Sequence, residues 1–552
     1  MSSIKKDYYI LILFVLSLIF TNELIYLFFN ISIGPDFTVY SSYFDYFFLE
    51  DKTATREQGL FYFYLQSISA KLTFQNFSLD YSKFFLHKSI QQINSLIYIY
   101  GLLGYYFLLN KFNFKKKNIY LTLIFLNFFP LTFALRMTLK PEILAFSLLP
   151  WLLYFLELYL EKNKFQYLFF TIPYIAIIAT SKGSIFVICA LFVCFGYLIK
   201  IYKKNIKYFF IFVVLVLVSI FSLNYENLES GGNSLFNIRS GAGEEITEEA
   251  LRYDNKASVS FAYKVNMFNL FTSPIKHNHK DSFISITLLD TFDDYFDLYW
   301  NNNDTLFNKD RLEIVELEKS NLIQSPKLND QKNKLTVFVQ KDTDLYLRPT
   351  VALIISILFY TVLIKNIFTS KKYRYFLSAP IFGAFLLIVH VISGFPKNNF
   401  DPTKGDTLKP FYYSFLICLA FVFLVINLLE KRGFYSILLI PYIIFMLFLF
   451  GFPKELDNQR NALLDVNSES TICEINNFFI SEYKESTNCS SNLIGNDKDL
   501  FVKFSKKIVN VPINLFFLVF LLFSNLYLIY ESNYLGSAFK KLPLKINKNN
   551  KE

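Results

Sequence analysis

The sequence predicts an all-α polytopic membrane protein with about twelve transmembrane helices and three long external loops. Three observations lead there. Of the 552 residues 53% are hydrophobic and 19% aromatic against 18% charged, too apolar a balance for ordinary soluble domains. Apolar runs long enough, or nearly long enough, to cross a hydrocarbon core of about 30 Å as a helix recur along almost the whole length. Clusters of Lys and Arg occupy every second gap between those runs, which is the pattern of cytoplasmic loops.

The runs are Tyr8 to Phe29, Ser89 to Leu109, Ile119 to Ala134, Pro141 to Leu160, Phe165 to Thr180, Ser184 to Ile199 and Tyr208 to Leu223. After a long polar stretch come Pro349 to Ile364, Tyr375 to Ile392, Pro410 to Leu429, Phe434 to Phe450 and Val511 to Tyr530. The pair flanking Ser181-Lys182-Gly183 reads either as two short spans or as one kinked or re-entrant element.

Orientation follows from the basic residues. Lys5 and Lys6 precede the first run, and Lys111 with Lys115 to Lys117, then Lys162 and Lys164, then Lys200 to Lys207 mark the next alternate gaps. Lys371, Lys372 and Arg374, Lys431 and Arg432, and the Lys-rich tail after Tyr530 complete the series, so both termini are expected in the cytoplasm. No clear cleavage pattern follows the first run, which is expected to act as a signal anchor. The net charge of +10 is mostly edging beside anionic headgroups, and nucleic acid is not an expected partner.

The chain divides into an N-terminal membrane module, 1–223, with a first external loop over 30–88; an external loop, 224–348; and a C-terminal membrane module, 349–552, with an external loop over 451–510. Cytoplasmic loops are all short, so chemistry is expected on the outer side, and the bacterial inner (cytoplasmic) membrane is the expected location. Cys189, Cys194 and Cys418 sit inside runs as small buried hydrophobes, whereas Cys473 and Cys489 share the last external loop, where an oxidising exterior would join them in a disulfide. Glu23, near the outer end of the first run, faces a polar bundle interior or snorkels.

Asp36 follows a Gly34-Pro35 turn a few residues beyond the first span, which holds its carboxylate at the membrane surface. Further on, Arg56-Glu57-Gln58 precedes the aromatic run Gly59-Leu60-Phe61-Tyr62-Phe63-Tyr64. An acidic residue just after the first span, a long first loop with a polar group before a Leu-aromatic-Tyr stretch, and many further spans resemble the GT-C class. Those are integral membrane glycosyltransferases that use polyprenyl-phosphate-linked sugars. The resemblance implies that Asp36 is the catalytic base, that Glu57 and Tyr62 contact substrate from the first loop, and that Leu60 to Phe63 stand where the class has a Pro-Pro-Leu-Tyr-like motif. Here the proline doublet is absent, and a single Asp replaces the adjacent acids of some members. The first half of the chain carries the likeness, and the second half shares only the layout.

A second pattern needs no family. Lys140-Pro141, Arg348-Pro349 and Lys409-Pro410 each begin an external helix with a cation directly before proline. Proline at a first helical position is ordinary. The cation is not: it lies on the side where positive charge is disfavoured and beside the helix end whose dipole repels it. A bound anion removes both penalties, because free N–H groups, dipole and cation then point at one negative group. Lys140, Arg348 and Lys409, joined by Arg136 and Lys182, are therefore candidates for binding a donor phosphate, and Lys140-Pro141-Glu142 resembles a basic-Pro-Glu sequence of GT-C members. Pairing with Glu142 or lipid headgroups is the alternative.

Asp290, Asp293, Asp294 and Asp297 lie in an aromatic patch from Phe283 to Trp300, expected in the membrane interface. Asp290, Asp293 and Asp294 could contact sugar or hold a metal, but the same spacing marks the wet face of an amphipathic helix, which is the favoured reading. No cofactor is certain; a divalent metal is an option. The expected function is transfer of a sugar from a polyprenyl-phosphate donor to a lipid or glycan acceptor with inversion. A lipid-linked oligosaccharide polymerase or ligase, and a non-enzymatic flippase or transporter, are the competing readings.

Overall fold

A computed structural model describes residues 2–28, 43, 44, 46–48, 58–74, 82–229, 259–272, 274, 279, 282–292, 312–318, 334–340, 347–392, 410–431, 439–450 and 512–531. The architecture is mostly helical. Helices α1 (Ser2–Phe28), α2 (Leu60–Phe74), α3 (Ser82–Lys111), α4 (Lys116–Asn127), α5 (Pro130–Met137), α6 (Glu142–Lys162) and α7 (Phe165–Ser181) come first. Next are α8 (Gly183–Lys204), whose course includes a π-helical turn at Cys194–Leu198, and α9 (Ile206–Glu229). Short α10 (Met267–Thr272) and α11 (Phe283–Asp290) precede an antiparallel ribbon, β1 (Leu312–Glu318) with β2 (Lys334–Gln340), paired from Leu312 opposite Gln340 to Glu318 opposite Lys334. The chain then forms α12 (Leu347–Thr369), α13 (Ala379–Ile392), a 3-10 turn (Pro410–Tyr413) leading into α14 (Ser414–Lys431), α15 (Leu439–Phe450) and α16 (Pro512–Glu531).

Among the described residues six helices are long and apolar enough to cross a membrane, or seven if the bent pair α4 and α5 counts as one span. Phe165–Ser181, Arg374–Val389 and Pro512–Tyr527 are apolar but shorter. The run Ile119 to Ala134, read as one span, is in fact two helices bent by 62°. Pro130 is the cause: it lacks an N–H and forces Phe129 to an extended backbone, with φ −75 and ψ 127. The doubtful pair around Lys182 resolves into two separate helices, because Lys182 is fully extended at φ −163 and ψ 137.

α6 and α14 are buried almost all round, whereas α1 and α9 turn most of their surface outward, Glu23 included. α3 lies tightly along α6. A Cβ on Gly101 would stand 2.9 Å from the Ser147 Cα, so only glycine allows that approach. Ser147 donates to the Ile97 carbonyl at 2.7 Å and the Trp151 indole to the Tyr100 carbonyl at 2.9 Å, closing the seam.

The basic gaps gather at one end of the bundle. Lys111 pairs with Glu161, the Lys204 ammonium meets the Leu160 carbonyl, and Glu430 accepts from the Lys115 backbone at 3.1 Å and from Asn118 at 2.7 Å. Phe112 stacks edge-on against Tyr373 and Phe376 there. From Lys162 at this end, α6 rises about 30 Å to Glu142 at the other, one hydrocarbon thickness away.

Candidate active site

At the end opposite the basic loops, the connection from α5 to α6 is a tight turn. Thr138 is extended, the Lys140 N–H donates to the Thr138 carbonyl at 3.0 Å, and Pro141 starts α6 so that Glu142 falls in its first turn. Asn94 of α3 fixes this turn. Its amide nitrogen donates to the Arg136 carbonyl at 3.2 Å and the Thr138 carbonyl at 2.8 Å. Its oxygen accepts from the Tyr62 hydroxyl at 3.0 Å and the Gln66 amide at 2.8 Å, so every hydrogen-bonding position of this buried Asn is used. Burial pushes the Tyr62 phenol above its ordinary value, against the lowering effect of the Asn94 and Gln66 hydrogen bonds, and it stays a donor.

Lys182 completes the site from the break between α7 and α8. Its ammonium lies 2.7 Å from Glu142 Oε1; the Lys182 side chain is 17% exposed and that of Glu142 is fully sealed. Glu142 Oε2, also buried, receives no hydrogen bond. The 3-10 turn before α14 covers both cations, with Lys182 over the Tyr412 ring at 4.6 Å and Lys140 over the Phe411 ring at 5.6 Å. The two ammonium groups thus lie under adjacent aromatic rings of one turn.

The first loop reaches the same place. Gly59 donates to the Ser181 carbonyl at 3.3 Å, immediately before Lys182. The Tyr43 hydroxyl accepts from the Gln58 N–H at 2.6 Å and donates to the Gln58 carbonyl at 3.2 Å, while the Tyr43 ring stacks on Phe63 at 3.8 Å.

Of the residues singled out in the sequence, the structure sets Lys182 on Glu142, Lys140 under the neighbouring ring of the same 3-10 turn, and the Tyr62 hydroxyl on Asn94. Arg136 points elsewhere. Its guanidinium is fully buried, donating to the Thr132 carbonyl at 3.0 Å, Thr21 Oγ1 at 3.0 Å, Asn22 Oδ1 at 2.9 Å and the Asn127 carbonyl at 3.1 Å. It also lies over the Tyr98 and Phe133 rings at 4.4 and 4.7 Å, which makes it a bracket between α1, α4 and α5.

Asp290 is 2% exposed at the end of α11, so the wet-face reading fails at this residue. Its helix meets the covering turn, where Thr287 lies 3.5 Å from the Tyr413 hydroxyl. Among the described residues no three His, Cys, Asp or Glu side chains gather as a metal site would need. Asp36, Glu57, Lys409, Asp293, Asp294, Cys473, Cys489 and the Arg348 side chain lie outside the described residues. Cys189, Cys194 and Cys418 are free thiols.

Asn94 and Gln66 were not anticipated. The signal was present: Gln91, Gln92 and Asn94 open an apolar span, and amides there need partners.

Residues 58–223 match the dolichyl-phosphate-mannose-protein mannosyltransferase family. No curated protein and no solved structure matches the chain. The matched stretch takes in Gly59, Tyr62, Asn94, Lys140, Glu142 and Lys182, and it favours glycosyl transfer over a flippase or transporter. Over residues 58–223, therefore, this multi-pass membrane protein is similar to a GT-C type glycosyltransferase family whose donor sugar is borne by a polyprenyl phosphate.

Proposed function

We propose that the chain transfers a sugar, with inversion, from a polyprenyl-phosphate donor to a lipid or glycan acceptor at the outer membrane face. The observation that carries this reading is the placement of Lys140 and Lys182 under adjacent rings of one 3-10 turn, inside the matched stretch and at the bundle end away from the basic loops. Basic loops are retained in the cytoplasm, so that end faces outward.

Asp36 takes the proton from an acceptor hydroxyl, whose oxygen attacks the anomeric carbon. The bond from that carbon to the phosphate oxygen breaks, and its electron pair leaves on the polyprenyl phosphate. The growing negative charge lies beside the Lys140 and Lys182 ammonium groups, held ready under aromatic cover. Arg348 and Lys409, each directly before a proline in the sequence, are further candidates for the same phosphate. Arg136, whose donors are engaged within the bundle, supports the scaffold.

Asp36→Asn keeps the shape and removes the base. Transfer is expected to fall at least about a hundredfold with donor binding retained. Near-normal turnover in a folded Asp36→Asn protein would leave Asp36 as a turn residue only.

A further inference from the structure

Glu142 spends one carboxylate oxygen on Lys182 and leaves the other, sealed from solvent, with no hydrogen bond. A buried acceptor left open costs free energy and calls for an explanation, which a donor group on a ligand supplies. The position limits what that donor is. Lys182, on the first oxygen, is partly exposed and lies under the half-buried Tyr412, so a group that displaces the Tyr412 ring reaches the ammonium, whose carboxylate partner lies 2.7 Å further on. In a polyprenyl-phosphate sugar the phosphate oxygen is bonded to the anomeric carbon, and the next ring carbon bears a hydroxyl or its substituent. A cation on the phosphate therefore places its own carboxylate partner within reach of the sugar.

Resting on the reading of Lys182 as a phosphate-binding residue, we propose that Glu142 determines donor specificity: its open Oε2 accepts a hydroxyl of the transferred sugar while Oε1 holds Lys182 against the phosphate. A charge-assisted hydrogen bond of this kind discriminates strongly, because an analogue that lacks the hydroxyl leaves the carboxylate oxygen open again. Glu142 thus senses the sugar and Lys182 the phosphate.

The test compares binding of short-chain polyprenyl phosphate with its hexosyl and pentosyl esters, in detergent, to wild type, Glu142→Gln and Lys182→Gln. Wild type is expected to bind at least one ester more tightly than the bare lipid phosphate. Glu142→Gln is expected to cut that preference by about 10- to 100-fold and to change bare phosphate binding by less than about threefold. Lys182→Gln is expected to weaken ester and bare phosphate together and keep the preference, which holds the test open if Glu142→Gln fails to fold. An unchanged preference in Glu142→Gln, or equal loss for both ligands, overturns the proposal and makes Glu142 a counter-ion only. Wild type that binds neither ligand overturns instead the donor reading on which it rests.

Discussion

Gly59 lies directly against the backbone of Thr180: a Cβ added to Gly59 would stand 2.1 Å from the Thr180 carbonyl oxygen and 2.7 Å from its carbon. The first-loop segment is thereby seated on the turn that presents Lys182, and no side chain at position 59 fits without moving one of the two backbones. Gly59→Ala is expected to lower stability by about 1 to 3 kcal/mol, as overpacking does, and to reduce transfer. Thermal melting and turnover in detergent check this; a variant that melts and turns over like wild type would show that the contact yields freely.

Asn94 ties α2, α3 and the α5–α6 turn together through its bonds to Tyr62, Gln66, Arg136 and Thr138. Tyr62→Phe removes one donor and leaves Gln66 in place, so a loss of about 1 kcal/mol is expected. Asn94→Leu strands two buried carbonyls, a hydroxyl and an amide, and is expected to cost at least about 3 kcal/mol. Denaturant or thermal unfolding of both variants measures the ratio; equal effects would remove Asn94 as the centre of the network.

Arg136 holds α1 to α5 with a planar fork and two aromatic faces. Lysine keeps the charge but cannot reproduce the geometry, so Arg136→Lys is expected to destabilise the fold by about 2 kcal/mol or more. Unchanged melting would mean that the bracket bears no weight.

The gathering of basic loops at one end predicts that a single cysteine placed at Lys116, in a chain otherwise free of reactive thiols, stays unlabelled by a membrane-impermeant reagent in intact cells and reacts after permeabilisation. Labelling from outside would invert the topology and place the Lys140–Lys182 site on the inner face.

Much of this was legible in the order of residues. Hydropathy and the placement of Lys and Arg act on each segment through the surrounding solvent, locally and independently of partners, so the alternation of basic gaps and the helical character of most runs could be read directly. The cation-proline start at Lys140-Pro141 is likewise a local feature of the sequence. Even the Phe129–Pro130 break has a local cause, although the long apolar run through Ile119 to Ala134 masked it.

Buried polar groups depend on something else. The fate of Lys182, Arg136, Asn94 and Tyr62 was decided by which carboxylates, carbonyls and rings other helices delivered to within about 3 Å, the reach of a hydrogen bond. Arg136 and Lys182 are both cations at the end of apolar runs, and nothing in their neighbourhoods along the chain separates them. Packing does: α1 closes on Arg136 with Thr21 and Asn22 and occupies two of its donors, while Lys182, partly exposed, meets Glu142 beneath Tyr412. A charge drawn from water must find its partners wherever the bundle brings them, which is why the candidate site emerges only from the tertiary structure.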